Sequence, residues 1–182
     1  YDTLDTVREY VLERLVESGA VAAARGAHAE YFAALADEAR VELRGPEWLR
    51  WELRLELEND NLWAALAYAR DAPDAAVAVR LGTLGWYFAL ADRVSEGRRF
   101  LELALSATDD DLPVELRIEQ LADLCYIATE EFDLGPALVA GERAVSLAAT
   151  AAAPWQRGFA QLRPALALGP SGEVERAATM TD

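Results

Sequence analysis

The sequence has no lysine, one cysteine and one histidine among its 182 residues, so all 17 basic side chains are arginine. Without lysine the chain can form neither a P-loop that grips phosphate nor a Schiff base. A single cysteine excludes an internal disulfide, and one cysteine with one histidine cannot supply a Cys/His zinc site. We therefore predict that the chain is not an enzyme, and that it holds neither a cofactor nor a metal.

Long apolar runs and basic charge are also scarce. No stretch of about 18 apolar residues could span a bilayer, and the first residues of this sequence do not have the pattern of a signal peptide. A lone cysteine suits a reducing compartment, which predicts a cytoplasmic protein. The net charge of −15 opposes contact with nucleic acid or an anionic membrane. Because the sequence begins with Tyr1 and not with Met, and stops at Asp182 within the third predicted repeat, we expect it to be a piece of a longer protein.

Apolar residues make up 53% of the chain, which predicts a folded core and argues against disorder. A first helix is predicted from Asp5. A second is predicted over 21–43, with a buried stripe at steps of three and four. The members of that stripe are Ala24, His28, Tyr31, Leu35 and Ala39. Residues 51–58 alternate as a strand would, yet they lack β-branched residues, so a helix interrupted near Asn59 is favoured.

Beyond a turn at 71–74 the pattern predicts paired helices. A helix capped by Asp74 should reach Ala91, and one capped by Ser95 should reach Ala107. An acidic loop at 109–111 precedes a second pair, predicted over 114–130 and 136–149. A third pair is predicted from Pro154, with a kink at Pro164.

A forty-residue echo runs through this second half. Leu81, Leu84 and Gly85 return as Leu121, Leu124 and Cys125, and the small residues Gly97 and Ala104 return as Ala137 and Ala144. Repetition at such a period indicates stacked helical hairpins, in which small residues allow helices to cross closely. The spacing resembles tetratricopeptide repeats, with extra residues in the loop between hairpins.

The predicted fold is therefore all-α, with antiparallel helical hairpins in a tetratricopeptide-like right-handed solenoid. Residues 1–73 form an N-terminal helical segment, and residues 74–182 hold the degenerate repeats, the last of them truncated. This class of solenoid binds other macromolecules far more often than it catalyses reactions.

Four segments carry a more specific resemblance. They are Tyr1 to Leu15, His28-Ala-Glu-Tyr-Phe32, Glu58-Asn-Asp-Asn-Leu62, and Ser95-Glu-Gly-Arg-Arg-Phe-Leu-Glu102. Together they resemble the large bacterial STAND-type ATPase transcriptional regulators of the LuxR-like and AfsR-like kind, found in actinobacteria. Trp63 departs from the arginine that is usual there. The resemblance implies that residues 1–73 link a winged-helix module, outside this sequence, to the repeats, and that ATP and DNA bind elsewhere.

Trp86 and Tyr126 are the predicted partner-binding residues. Both fall one position past the small residue of their unit, a position that lines the concave surface of a tetratricopeptide solenoid. Glu119 and Glu130 should border this strip and favour a basic or polar partner. The alternative is that the N-terminal helices fill the groove and both rings belong to the core. His28 and Cys125 are interpreted as packing residues.

The leading hypothesis is a non-catalytic scaffold or sensor region of an ATP-dependent transcriptional regulator. Its partners would be a protein, a small-molecule inducer, or other domains of the same polypeptide, and self-association stays open. The alternative is a free-standing adaptor that binds a peptide in its concave groove. A third interpretation, an all-α hydrolase using Asp or Glu, would need paired carboxylates inside a pocket.

Overall fold

The structure is a computed structural model that describes residues 10, 14, 19–71, 75–107, 113–150, 158 and 161. This described part is all helical and contains no strand, which confirms the all-α prediction. Eight helices have both ends within it: α1 Val21–Glu42, α2 Trp48–Leu57, α3 Asn59–Asp71, α4 Ala75–Gly82, α5 Gly85–Leu90, α6 Val94–Ser106, α7 Val114–Glu130 and α8 Leu134–Thr150. Within the same residues, no helix is long and apolar enough to cross a bilayer.

Several predictions agree with these bounds. The alternating segment is helical from Trp51 to Leu57, within α2, and the helix breaks at Glu58, next to the expected position. The helices predicted over 114–130 and 136–149 correspond to α7 and α8. The helix from Asp5, the acidic loop at 109–111, and the third pair with its kink at Pro164 lie outside the described residues.

Two hydrophobic clusters hold the helices together. The larger one draws on α1 to α6 and on Ile127 of α7, and it centres on big side chains, among them Tyr87, Phe88 and Phe100, none of which is exposed. The smaller one joins α7 to α8 and is built mainly of small residues, such as Ala128 and Ala137. A turn of three residues between α7 and α8 makes these helices an antiparallel hairpin, and they contact each other along their length.

The forty-residue echo is also present in the backbone. The Arg93 N–H donates to the Phe88 carbonyl at 2.9 Å, and the Asp133 N–H donates to the Ala128 carbonyl at the same distance. The residue before each donor has a left-handed backbone, with φ of 55° at Asp92 and 58° at Phe132. The two turns, α5–α6 and α7–α8, therefore close in the same way forty positions apart.

The predicted helix from Asp74 to Ala91 is wrong, because the chain turns at Thr83 and Leu84 between α4 and α5. Close contact with α7 explains the break. A Cβ added at Gly82 would lie 2.8 Å from the Gln120 side chain. One added at Gly85 would lie 2.7 Å from Asp123 Cβ. The two glycines let α7 approach at this point.

The predicted buried stripe of α1 is only partly correct. Leu35 and Ala39 are buried, but Tyr31 is 60% exposed and Ala24 is also exposed. The buried face instead runs through Ala29, Phe32, Ala33 and Ala36, where small side chains let α3 and α4 pack closely. Ser95 is not the cap of α6 either, since that helix already begins at Val94 and its N-cap is Arg93.

Candidate partner-binding site

Trp86 and Tyr126 lie side by side at the contact between α5 and α7. Their ring centroids are 5.8 Å apart and the ring planes meet at 61°, an edge-on arrangement that aromatic pairs favour. Both rings are half-buried and pack against the larger core cluster. Each therefore contributes to the core on one side and leaves part of its surface accessible to a partner.

The other predicted residues share a face of α7 with Tyr126. Glu119, Asp123, Tyr126 and Glu130 follow one another at steps of four, three and four, which places them along one side of the helix. Burial falls along this line, because Glu119 and Asp123 are each 1% exposed whereas Glu130 is exposed. The accessible part of the face thus begins at Tyr126 and extends toward Glu130.

Glu119 is held by helix α1. Its Oε2 accepts from Arg40 Nε at 2.9 Å and lies 3.4 Å from Arg44 Nη2. Burying a carboxylate is costly unless a cation accompanies it, and these two guanidinium groups supply that charge. The N-terminal region therefore covers the Glu119 end of the face, while Trp86 and Tyr126 stay partly accessible. That these four residues bind a partner remains a prediction.

Another pair of contacts fixes α1 over the repeats. Arg80 on α4 donates to Asp37 at 2.8 Å and to Glu30, both of which lie on α1. Glu30 belongs to the His28–Phe32 motif, and in that motif Phe32 is buried while the His28 ring packs 4.7 Å from it. The motif thus anchors α1 from both its apolar and its polar side.

Two of the segments behind the family resemblance meet at Glu96. Its Oε1 accepts from Asn59 Nδ2 at 3.1 Å and from Trp63 Nε1 at 2.7 Å, and Arg93 forms an ion pair with it. Burial alone would raise the pKa of Glu96, but these hydrogen bonds and the Arg93 charge together lower it. Glu96 is therefore ionised and links α6 to α3.

Arg98 links α6 to the turn of the next hairpin, α7–α8. Its Nη1 lies 3.0 Å from Glu131 and 2.8 Å from Asp133, and its Nε donates to Glu102 at 3.0 Å. These bonds, with that of Glu102 the largest, raise the pKa of Arg98. Ser95 donates to the other oxygen of Glu131. Motif matching marked these residues, but spacing alone could not reveal their partners.

The described residues contain no group of three or more His, Cys, Asp or Glu side chains that could hold a metal ion. Cys125 is buried in the small cluster between α7 and α8, at the position where the repeat has a small residue. The contacts found around the predicted face are ion pairs, aromatic packing and close helix crossings.

Known proteins with a similar sequence indicate which class of protein this chain resembles. No protein-family model matches the chain, and no solved structure matches it significantly. It is 30% identical over 144 residues to a protein of Mycobacterium bovis, and the same figures hold for proteins from two strains of Mycobacterium tuberculosis. Each bears the provisional name of an HTH-type transcriptional regulator. The alignment covers 71% of this chain and only 15% of the relative, so the chain is similar to one region of such regulators.

Proposed function

We propose that this chain is a non-catalytic scaffold and sensor region of a multidomain, ATP-dependent transcriptional regulator of the STAND type. The observation that carries the proposal is the junction at Glu96, where the Asn59 and Ser95 motifs of the resemblance meet. Two of the matched segments therefore pack against each other within the described helices. Similarity to proteins named as transcriptional regulators supports the same role.

The arrangement we propose for residues 74–182 is a tetratricopeptide-like, right-handed stack of hairpins. The matching turns at Asp92 and Phe132 support it, as do the close crossings at Gly85 and Gly97. Residues 1–73 would form the segment that connects these repeats to the other modules. Because core residues from both sides of residue 74 pack together, a movement of the repeats would also reach that segment.

Sensing would act through α7. A protein partner or small-molecule inducer that contacts Trp86 and Tyr126 would shift α7 against α5, because the two rings bridge these helices. The same face of α7 carries Glu119, which holds Arg40 of α1. Occupation of the face would therefore change how α1 is held, and α1 belongs to the segment that leads to the other modules.

The test compares RNA from three strains of the native host: the wild type, a deletion of the whole gene, and a strain carrying Trp86→Ala with Tyr126→Ala in the complete protein. The deletion should change a defined set of transcripts, and the double variant should change the same set in part or in full. A strain carrying Trp48→Ala is the matched control, since Trp48 is a partly exposed ring on α2, away from α7.

Two results would overturn these statements separately. A deletion that changes no transcript, under conditions in which the protein is made, would contradict a role in transcription. A double variant that behaves as the wild type while the deletion has an effect would remove Trp86 and Tyr126 from the site. Purified double variant should keep the helical circular dichroism of the wild type, because both rings are only half-buried.

A further inference from the structure

Helix α2 presents an apolar groove to solvent. Leu49, Leu53 and Leu57 recur every four residues, and 53%, 55% and 87% of their surfaces are exposed. They line a groove of about 580 Å³ together with Pro46, Glu47, Arg50 and Arg54. Nothing in the packing of the described helices requires three aligned leucines at the surface, and an exposed apolar patch of this kind marks an interaction site.

The rim of this α2 groove is basic on one side. Arg50 and Arg54 lie one turn apart beside the leucines, and neither forms an ion pair within the described residues. Arg54 instead lies over the Trp51 ring, 4.7 Å from its centroid. The groove lining also includes Glu47, so it carries two cations against one carboxylate and has a net positive charge in a chain whose net charge is −15. The groove thus suits an apolar group flanked by carboxylates.

The turn between α7 and α8 offers such a group. Phe132 is 90% exposed at its tip. Glu131 and Asp133 beside it share the one guanidinium of Arg98, and Glu130 is exposed, so within the described residues the turn keeps an excess of negative charge. The backbone of Phe132 is left-handed, with φ of 58°, a conformation that disfavours a bulky side chain. At the equivalent turn the residue is Asp92, which is polar and tolerates this geometry better.

We propose that the Phe132 turn of one copy of this chain docks into the α2 groove of a second copy, with Arg50 and Arg54 facing Glu130, Glu131 and Asp133. Shape and charge both match, since a ring meets leucines and carboxylates meet guanidinium groups. The contact joins two different surfaces, and each copy carries both of them. A dimer therefore keeps one unused α2 groove and one unused Phe132 turn, so further copies can add at either end. It goes beyond the proposed regulatory function, because it concerns assembly and not sensing.

The contact should be weak between free chains, since one ring and three leucines bury far less surface than a standard interface. It becomes effective when copies are held close together, because a high local concentration favours weak contacts. Sedimentation equilibrium of the 182-residue chain at increasing concentration, up to about a millimolar, should therefore show an average mass that rises above that of the monomer. Raising the salt concentration should reduce this association, because its charged contacts are screened.

Two single variants test the two surfaces. Phe132→Asp copies the residue of the equivalent turn, and Leu53→Asp places a carboxylate in the α2 groove. Each should lower the association constant at least tenfold. An equal mixture of the two should form a dimer but nothing larger, because each variant retains the surface that the other lacks. Val139→Asp is the control, since Val139 is 59% exposed but belongs to neither surface, and it should associate as the wild type does.

Each other outcome overturns the proposal. The wild type could remain a monomer throughout the concentration range. Either variant could associate as strongly as the wild type, or the mixture could stay monomeric while each variant keeps the circular dichroism spectrum and unfolding midpoint of a folded chain. Association that both variants lose but the mixture does not restore would mean that like surfaces pair, which also contradicts docking between the Phe132 turn and the α2 groove.

Discussion

The two repeated hairpins share a backbone but fill it in opposite ways. In the α5–α6 hairpin, Phe88 is fully buried beneath Gly97, and a Cβ added to that glycine would lie 2.4 Å from Phe88 Cβ. In the α7–α8 hairpin the equivalent positions are Ala128 and Ala137, both buried. A large residue that faces glycine in the first hairpin corresponds to two small residues in the second. Both pairs let the helices cross closely, because a bulky ring needs glycine opposite it whereas two alanines fit against each other.

The two hairpins differ equally at the start of their second helices. The first two turns of α6 contain Ser95, Glu96 and Arg98, which bond to α3 on one side and to the next turn on the other. Helix α8 has Gly135, Pro136 and Leu138 at the same positions. The first hairpin is joined by polar bonds to neighbours on both sides. The first hairpin therefore connects helices on both of its sides, whereas the second leaves its turn residue Phe132 exposed.

The largest difference should appear when a methyl group is added at each second helix. Gly97→Ala should lower the free energy of unfolding by about 1–3 kcal/mol, because Phe88 Cβ is part of a fully buried residue and cannot move aside. Gly135→Ala in α8 is the matched control, since nothing lies within 4 Å of its added Cβ. It should raise the free energy by up to about 1 kcal/mol, because alanine favours helices over glycine. Urea unfolding followed by circular dichroism measures both.

A second substitution sharpens that result. Phe88→Ala alone should destabilise the chain by about 3–5 kcal/mol. In that background Gly97→Ala should become neutral or stabilising, because the clash has gone and the methyl group partly fills the cavity. If Gly97→Ala costs the same with and without Phe88, the two residues are not compensating for each other's size.

A smaller difference in the free energy of unfolding is expected from the polar contacts of Glu96 in the first hairpin. Glu96→Gln should lower the free energy of unfolding at pH 7 by about 1–2 kcal/mol, because hydrogen bonds to a charged group are lost. Folding lowers the pKa of Glu96 from its unfolded value of about 4.3. The stabilisation is therefore present above that value and lost as the pH falls through the lower, folded pKa. The urea midpoints of wild type and variant should therefore differ at pH 7 and should differ less near pH 3.

Glu102→Gln is the control for this effect. Glu102 also accepts a bond from an arginine, yet it is 51% exposed and lies on the outer side of α6. Such exposed pairs contribute little, so the variant should change the unfolding midpoint less than Glu96→Gln does. If the two variants lower the unfolding midpoint equally, the contacts of Glu96 stabilise the fold no more than an exposed ion pair does.

What the sequence could predict follows from the range of each interaction. Helix positions and the small residues at Gly85 and Gly97 were predictable, because periodicity and a forty-residue echo express them locally. The break at Thr83 was missed, since it follows from contact of Gly82 with Gln120, 38 positions away. The pairing of Glu119 with Arg40 links positions 79 apart, and no pattern in the sequence indicates which of many arginines an acidic residue meets. Trp86 and Tyr126 could be paired beforehand because the repeat relates them.

The smallest difference lies in the turns themselves and should have the opposite sign. Phe132→Asn should raise the free energy of unfolding by about 0.5–1 kcal/mol, because asparagine accepts the left-handed backbone that a bulky ring resists. Asp92→Asn at the equivalent turn should change it by less than about 0.5 kcal/mol, since aspartate already tolerates that geometry. Both are measured by urea unfolding at micromolar concentration, where copies do not associate. A loss of stability in Phe132→Asn would show that the ring packs on its own chain, and its exposure would then need no partner to explain it.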